Sequence, residues 1–500
     1  MWLALDIGTT NVKAALLDAD RKVHFRAEAS YPSHSATGGI SEQNSKDWWL
    51  AACQVMQDLN LQAATSEQVG LKRVIAVAIT GQMQDVLLLD AAGEPLRPVI
   101  LYSDSRAQAE AAEIDQLCAQ HGYDLTKITG NVQTAAGLLA KLRWLNHHEA
   151  EVMASADKLF LGAAELVAYK LTGAHVSDTT TAATTGLMDL EARAWLDKDV
   201  FERLELPNIS KLLPQLVSGG TQVGTVSTKA TTFLDLPEGI PVHLGPGDAG
   251  ATTLGAGCGD LGSAYGYIGT TGWWAFSSTE RGNSTRGVFT LAHPHLERTI
   301  CVVPFMAAGK NLEWIANTLS NDTSTQPAYD DLIQTALARP ISPIIYLPYL
   351  SGEPSLLQDP NARGAFIGLA SEHTQADVVR AVLEGVSFAY KYALDALVSP
   401  PPQQLTLTGG GSRSRAWCQL LADVTGVSVR VVANASDVGL QGAVLAAQVA
   451  RGEYEGYELE VASSEVLSPQ QNTIYNQKYE LFQRAYASLK DVFQELSELS

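Results

Sequence analysis

The spacing of apolar and polar positions near the N-terminus predicts a β-hairpin. An apolar run at Trp2–Leu5 leads into a Gly-Thr-Thr turn, and a second apolar run follows at Val12–Leu17. Two more short apolar runs, Val74–Thr80 and Val86–Asp90, have the pattern of buried strands. Ser45–Leu59 begins with a serine and has an acidic residue in its first turn, which indicates a helix. Strands that alternate with helices in this way predict an α/β protein.

The second half of the chain starts the same scheme again. The sequence IGTT occurs at Ile7–Thr10 and at Ile268–Thr271, and each copy follows a short apolar run. Further predicted elements are a strand and glycine turn at Ile240–Gly250, a strand at Ile344–Leu350, a helix at about Gln375–Val398, a strand, triple glycine and helix at Leu405–Gly426, and a polar amphipathic helix from Ser468 onward. A repeated turn is expected if two related domains face each other across a cleft, and we assign these domains to residues 1–244 and 245–500.

The composition and charge of the chain argue against binding to nucleic acids or membranes. The 500 residues include 46% hydrophobic and 18% charged residues, and the formal net charge is −20. This charge argues against a general surface for nucleic acid or anionic membranes, although a local basic pocket for a phosphate is compatible with it. The five cysteines are scattered and form no CxxC pair. We find neither a leader pattern nor an apolar run of about 18 residues, and we expect a cytoplasmic protein without membrane or nucleic-acid partners.

The two Gly-Thr-Thr turns have the groups that a polyphosphate needs. Their backbone N–H groups and threonine hydroxyls can donate hydrogen bonds to phosphate oxygens. Asp6 precedes the first turn and could hold Mg²⁺, and Lys13 follows it and could reach a phosphate. One such turn is usually only a hairpin turn, but two copies, one of them flanked by Asp6 and Lys13, favour a phosphate site.

Two other glycine-rich segments are candidates for chemistry. In GPGDAG, Asp248 follows an apolar strand between glycines, where it could act as a general base, bind a metal or simply occupy a β-turn. The triple glycine Gly409–Gly411 precedes a helix, so it is either a nucleotide site at a helix N-terminus or a tight turn. It matches neither the P-loop nor the dinucleotide fingerprint.

Two polar segments could face a polyol. In ITGQMQD, residues Gln82, Met83 and Gln84 lie between two apolar strands, where they could bind hydroxyl groups or form a plain hairpin loop, and the segment taken alone favours the loop. In YSDSR, Asp104 and Arg106 could pair with each other as a surface ion pair.

Together these motifs resemble the FGGY carbohydrate kinases, which have two actin-like (ribonuclease-H-like) domains with a cleft between them. DIGTTNVK resembles the first phosphate loop, and GAFIGLASEHTQADVVRAVLE at Gly364–Glu384 resembles the C-terminal signature of the family. GGGSRSRAWCQLLAD is similar to the adenosine loop and its helix. GQMQD and LYSDSRA resemble the sugar loops of the xylulokinase branch. The resemblance covers nearly the whole chain, with the motifs in the family's order.

The resemblance implies an ATP-dependent sugar kinase that uses Mg²⁺, and it leaves room for a homodimer. It implies that Asp248 is the base for the sugar hydroxyl and that Asp6, with Asp248, positions Mg²⁺. It implies a sugar site formed by Gln82, Met83, Gln84, Asp104 and Asp248. It implies a nucleotide and phosphate site formed by Gly8, Thr9, Thr10, Lys13, Gly269, Thr270, Thr271, Gly309, Gly409, Gly410, Gly411 and Ser414.

Some positions depart from the xylulokinase pattern. That branch usually has histidine where this chain has Gln84, asparagine where it has Ala249, and arginine where it has Pro354. The N-terminal signature is half present, through Lys141, Leu142 and Trp144. D-xylulose is therefore the leading acceptor, and another pentulose, a polyol or glycerol is the alternative. An actin-like ATPase without a sugar substrate and a degenerate kinase acting as a sugar sensor are the other two classes.

Overall fold

The computed structural model describes residues 1–64, 70–319, 329–470 and 473–499. Its strands are β1 (Trp2–Ile7), β2 (Asn11–Leu17), β3 (Val23–Ser30), β4 (His34–Ala36), β5 (Ile40–Gln43), β6 (Ala76–Gly81), β7 (Met83–Leu89), β8 (Val99–Ile100), β9 (Lys158–Gly162), β10 (Val176–Asp178), β11 (Met188–Asp189), β12 (Ala194–Trp195), β13 (Gln215–Val217), β14 (Gln222–Thr225), β15 (Pro241–Leu244), β16 (Ala264–Ile268), β17 (Gly272–Ser278), β18 (Phe289–Ala292), β19 (Thr299–Phe305), β20 (Ile345–Leu347), β21 (Ala365–Ile367), β22 (Gln404–Thr408), β23 (Ser428–Val432) and β24 (Ser463–Leu467).

The helices alternate with these strands. They are α1 (Ser45–Ala63), α2 (Gln108–His121), α3 (Leu125–Thr129), α4 (Leu138–His148), α5 (Ala150–Ser155), α6 (Ala163–Thr172), α7 (Thr179–Ala182), α8 (Lys198–Arg203), α9 (Ile209–Leu212), α10 (Thr228–Leu234), α11 (Asp248–Gly255), α12 (Gly309–Leu319), α13 (Tyr329–Leu337), α14 (Gln375–Leu397), α15 (Arg415–Thr425), α16 (Val438–Ala450) and α17 (Thr473–Ser497). None of the helices in the described ranges combines the length and apolar content that a membrane span needs.

The two largest sheets share one order over six strands, and the second has one additional edge strand, β18. The first sheet runs β14-β15-β6-β1-β2-β3, and the second, written in the corresponding direction, runs β24-β23-β22-β16-β17-β19-β18. In each sheet an antiparallel hairpin, β1–β2 or β16–β17, is followed by two parallel strands, β6 and β15 or β22 and β23. The IGTT repeat therefore marks a structural duplication, because both copies form the turn of the corresponding hairpin.

Apolar residues bury both faces of the first sheet. Leu3, Leu5 and Ile7 of β1 lie in one cluster with α1, whereas Trp2 and Ala4 lie in another with α16. This alternation along β1 is the period-2 pattern of a strand that is covered on both sides. Helix α16, from the second half of the chain, therefore packs directly on the sheet of the first half.

Helices α11 and α16 pack unusually closely. A Cβ atom on Gly255 would lie 1.7 Å from the Val438 carbonyl oxygen, and one on Gly442 would lie 1.8 Å from the Ala251 carbonyl oxygen. No real side chain tolerates such a contact, so glycine is required at both positions for the helices to meet. The contact holds α11 directly against α16.

The structure confirms the predicted α/β class and corrects several local predictions. The segment Met83–Asp85 is not a loop, because β7 begins at Met83 and pairs with β9. Asp248 is not a β-turn residue, because it is the first residue of α11. The predicted strand at Val74–Thr80 begins at Ala76. The C-terminal helix begins at Thr473, and the predicted residues 471 and 472 lie outside the described residues.

Candidate active site

Three parallel strands of the first sheet end at the same place. Thr80 of β6 donates from its hydroxyl to the Pro246 carbonyl at 2.7 Å, and the Gly245 N–H donates to the Ile79 carbonyl at 2.7 Å. The Gln82 N–H donates to the Ile7 carbonyl at 2.9 Å. The carboxyl ends of β1, β6 and β15 are therefore adjacent, which is the usual location of a ligand site in an open α/β sheet.

Asp248 follows β15 and begins α11. The Ala249 N–H donates to Asp248 Oδ1 at 2.7 Å, and the Asp248 side chain is accessible to solvent. The protein atoms around the carboxylate raise its pKa to about 7, and the negative charge of Asp6 adds to this effect. A carboxylate with such a pKa can accept a proton near neutral pH.

Asp6 lies near the end of β1, directly opposite Lys13 of β2. Burial raises the pKa of Asp6, while the charge of Lys13 lowers it. Asp6 Oδ1 is buried and has no hydrogen-bond partner among the described residues. A buried acceptor without a donor fits a cation such as Mg²⁺. The described residues contain no group of three or more metal-ligating side chains, so Mg²⁺ would complete its shell with water and phosphate.

The first Gly-Thr-Thr turn is held by the segments around it. The Gly8 N–H donates to the Asn11 carbonyl at 3.0 Å, and the Tyr31 hydroxyl donates to the Gly8 carbonyl. Gln43 Nε2 donates to the Thr9 carbonyl at 2.6 Å. The carbonyl oxygens of Gly8 and Thr9 are thus used internally, and Thr10 is exposed.

The second turn forms one surface with the other nucleotide candidates. The Gly309 N–H donates to the Gly269 carbonyl at 2.9 Å, and the Lys310 N–H donates to the Thr270 carbonyl at 3.1 Å. Gly409 has φ +92°, and a Cβ atom there would lie 2.6 Å from the Ile268 carbonyl oxygen. The structure therefore brings Gly269, Thr270, Gly309 and Gly409 together.

The remaining nucleotide candidates extend this surface. Thr271 accepts at its carbonyl from the Gly269 N–H at 3.0 Å, and a Cβ atom on Gly411 would contact Ile268 Cγ2 at 2.3 Å. A Cβ atom on Gly410 would meet nothing within 4 Å. Ser414 precedes α15, and its buried Oγ has no partner among the described residues. Open space above Gly410 beside an unpaired hydroxyl is compatible with a ligand there.

The three sugar-binding candidates Gln82, Met83 and Gln84 contact different parts of the protein. Gln82 is buried, and its Nε2 donates to Gln43 Oε1 at 3.0 Å, so it supports the first turn. Met83 contacts the backbone beside Asp248, because a Cβ atom on Gly247 would lie 2.2 Å from Met83 Sδ. Gln84 has φ +64°, and its Nε2 donates to the Thr184 carbonyl at 2.8 Å. Met83 is thus the candidate most directly placed against the Asp248 segment.

The Asp104–Arg106 ion pair is real, but its predicted surface location is wrong. Asp104 is fully buried, Arg106 is nearly so, and Arg106 Nη2 lies 2.6 Å from Asp104 Oδ2. The Ser41 N–H also donates to Asp104 Oδ2, at 2.7 Å. Burial would raise the pKa of Asp104, but these hydrogen bonds lower it, so the carboxylate stays ionised.

Four residues at this site were missing from the sequence prediction. Tyr267 stacks on Trp273 with ring centroids 3.9 Å apart, and the charges of Asp248 and Asp6 help to raise the Tyr267 pKa after burial. The negative charge of Asp248 also helps to raise the pKa values of Asp85 and Tyr102. The aromatic pair is visible in the sequence as Tyr and Trp flanking the second IGTT. Asp85 and Tyr102 lie within the quoted motifs but have no local signal of their own.

Comparison with known proteins identifies the family of the chain. Residues 1–255 match the N-terminal domain of the FGGY family of carbohydrate kinases, and residues 264–451 match its C-terminal domain. The xylulose kinase of Escherichia coli (strain K12) is 30% identical over 502 residues, covering 98% of this chain and 99% of that protein. The xylulose kinase of Klebsiella pneumoniae is 32% identical over 433 residues, covering 86% of each chain.

A solved structure extends the agreement to three dimensions. The xylulose kinase from Rhodospirillum rubrum superposes with a TM-score of 0.87 at 29% identity, covering 98% of this chain and 99% of that one. This similarity and the duplicated sheet confirm the predicted pair of actin-like domains. The two matched family domains and the full-length similarity to xylulose kinases lead to the same result: the chain belongs to the FGGY family of carbohydrate kinases and is an ATP-dependent carbohydrate kinase.

Proposed function

We propose that this kinase transfers the γ-phosphoryl group of ATP to a ketopentose, with D-xylulose as the first candidate and D-xylulose 5-phosphate as its product. The relatives named above are xylulose kinases, and their similarity spans almost the full length of the chain. The two sequence-defined halves, 1–244 and 245–500, would bind the sugar and the nucleotide respectively.

The observation that carries the proposal is the environment of Asp248. Its carboxylate is accessible, lies at the junction of the parallel strands, and has a pKa of about 7. We assign it the role of general base, which accepts the proton of the sugar hydroxyl as that oxygen attacks the γ-phosphorus. A base with a pKa near the working pH combines a large ionised fraction with a useful proton affinity.

The phosphate side of the site consists of main-chain and hydroxyl donors from both halves. We assign Gly8, Thr9, Thr10 and Lys13 to one side of the polyphosphate, and the second turn to the other. The adenosine would lie beside Gly309, Gly409–Gly411 and Ser414. Mg²⁺, held near Asp6 and Asp248, would neutralise charge on the phosphates. In-line transfer needs such positioning more than covalent chemistry.

The acceptor side is neutral or acidic rather than basic. Arg106 compensates the negative charge of Asp104, and the amide oxygen of Gln84 is not part of the bond that its Nε2 donates to the Thr184 carbonyl. These groups suit the hydroxyls of a neutral sugar. Gln84, Ala249 and Pro354 still leave another pentulose, a polyol or glycerol as the alternative acceptor.

A coupled assay of ADP release with a panel of acceptors tests the proposal. The panel contains D-xylulose, D-ribulose, L-xylulose, glycerol and D-gluconate, together with a reaction without acceptor. We expect the highest kcat/KM with D-xylulose and little turnover without a sugar. A preference for another acceptor would refute the sugar assignment. Equal turnover with and without acceptors would favour an ATPase and refute the proposed reaction.

A further inference from the structure

Asp85 and Lys141 are two buried charged side chains that the proposed reaction does not use. Both are 0% exposed. The Tyr102 N–H donates to Asp85 Oδ1 at 3.1 Å, and Lys141 Nζ donates to the Leu101 carbonyl oxygen at 2.6 Å. These two bonds go to the N–H and the C=O of one peptide group, the one that joins Leu101 to Tyr102.

The opposite charges stabilise one orientation of this peptide group. The carboxylate lies on its N–H side and the ammonium on its C=O side, which matches the direction of the peptide dipole. A rotated peptide would direct its oxygen at the carboxylate and its N–H at the ammonium. Burial raises the pKa of Asp85 well above its usual value and lowers the pKa of Lys141 to about 8, and the attraction between the two groups opposes both shifts.

The local backbone shows how Asp85 reaches this position. Gln84 is left-handed, with φ +64°, and the register of β7 against β9 shifts between Met83 and Leu87. Both faces of β7 are covered, with Val86 and Leu88 in one apolar cluster and Leu87 and Leu89 in another, so Asp85 is buried near the start of a strand that is buried from Asp85 onward. A left-handed non-glycine residue costs free energy, and such strain is commonly found at functional sites.

The oriented peptide begins the segment 101–106. Tyr102 is 42% exposed, and its side chain lies near Thr9 of the first turn and in the field of Asp248. Two residues later Asp104 binds Arg106 and the Ser41 N–H. A change in the Leu101–Tyr102 peptide would move both side chains relative to Asp248.

We propose that Asp85 and Lys141 are positioning residues for the sugar: they hold the Leu101–Tyr102 peptide in one orientation and thereby set the affinity for the acceptor, not for ATP. The inference rests on the proposed function, because it takes segment 101–106 as part of the acceptor site. Buried charge pairs often add little net stability, so the role that we assign to this pair is to fix the conformation of the peptide.

Steady-state kinetics of Asp85→Asn, Lys141→Met and the double variant test this role. Asp85→Asn keeps size and an acceptor atom but loses the charge, and the KM for the sugar should rise about tenfold, the loss expected for one hydrogen bond to a charged group. Lys141→Met removes the group that compensates the Asp85 charge, and it should raise the KM for the sugar further. The double variant should be less impaired than the product of the single effects, because it contains no unbalanced charge. The KM for ATP should stay within about twofold of wild type.

Lys478→Met is the matched control. Lys478 is also a buried lysine that donates to a carbonyl, that of Ser342 at 2.7 Å, and contacts a carboxylate, that of Glu384. It lies in the second half of the chain, and we expect a lower Tm with unchanged KM for both substrates. If Lys141→Met does not yield folded protein, Lys141→Arg replaces it, since it keeps the charge but moves the donor.

The outcomes separate the two proposals. A sugar KM within twofold of wild type in Asp85→Asn and Lys141→Met overturns the positioning role, and so does an equal rise in the KM for ATP. Wild-type protein that phosphorylates no sugar in the panel defeats the proposed function itself. Wild-type turnover with unaffected variants defeats only the inference about Asp85 and Lys141.

Discussion

The contact between α11 and α16 makes a strong prediction about Gly442→Ala. Helix α11 begins with Asp248, and Gly439 of α16 lies beside Asp6, since a Cβ atom there would be 3.1 Å from Asp6 Oδ2. Helix α16 therefore contacts the elements that carry both site carboxylates. A change in its position should alter the distance between Asp6 and Asp248.

The size of that change follows from the geometry. The added methyl group would lie 1.8 Å from the Ala251 carbonyl oxygen, whereas real Cβ contacts are essentially never closer than 3.0 Å. The helices must separate by roughly 1.2 Å if nothing else relaxes. A misplacement of about 1 Å can cost about 10²-fold in rate. Overpacking of this kind also destabilises a core, typically by about 1–3 kcal/mol.

The direction of the change in stability distinguishes this contact from an ordinary helix position. In a helix without such a contact, glycine to alanine would stabilise by roughly 0.5–1 kcal/mol. We expect Gly442→Ala to lower the Tm, and to lower kcat about 100-fold when measured below that Tm with saturating sugar and ATP. Gly456→Ala is the control, because a Cβ atom there would meet nothing within 4 Å. Wild-type kcat and an unchanged or higher Tm for Gly442→Ala would refute the role of this contact.

Three further predictions concern the reacting groups. Asp248→Asn should lower turnover by about 10²–10⁴-fold while ATP binding persists. Because the base must be ionised and its pKa is about 7, the kcat/KM of the wild-type enzyme should fall as the pH decreases through 7. A flat profile down to pH 5 would contradict this role. Asp6→Asn should raise the Mg²⁺ concentration needed for half-maximal activity, whereas an unchanged Mg²⁺ titration would reduce Asp6 to a structural residue. Thr9→Val and Thr270→Val should both slow turnover and be non-additive in kcat/KM for ATP, and additivity within about 0.5 kcal/mol would mean that the two turns do not act on one ligand.

Elements defined by local pattern were predictable from the sequence. The hairpin β1–β2 and the strand, triple glycine and helix around Gly409 need only the spacing of apolar residues and the position of glycines. The segment Met83–Asp85 was predicted as a loop because its polar letters suggest one. Its strand is stabilised by pairing with β9, about 75 residues away, and such pairing leaves no trace in the segment itself.

The residues of the site divide in the same way. Asp6 and Asp248 adjoin glycine-rich turns at strand ends, so their place in the site could be anticipated. The role of Asp85 depends on Lys141, 56 positions later, and on a peptide group that lies between them. Neither charge is unusual in its own segment. Only the tertiary contact shows that they serve one function.

The duplicated sheet explains why IGTT occurs twice, and the residues that flank the two copies differ in charge. The first copy lies between Asp6 and Lys13, which pair across β1 and β2 and provide the charges that Mg²⁺ and phosphate require. The second copy lies between Tyr267 and Trp273, which pair across β16 and β17 and carry no charge. Its carbonyl groups bind the start of α12 instead, at Gly309 and Lys310. The two turns are thus similar in fold but differ in their flanking residues, which is why we propose that the first lies beside the metal and the second beside the nucleotide.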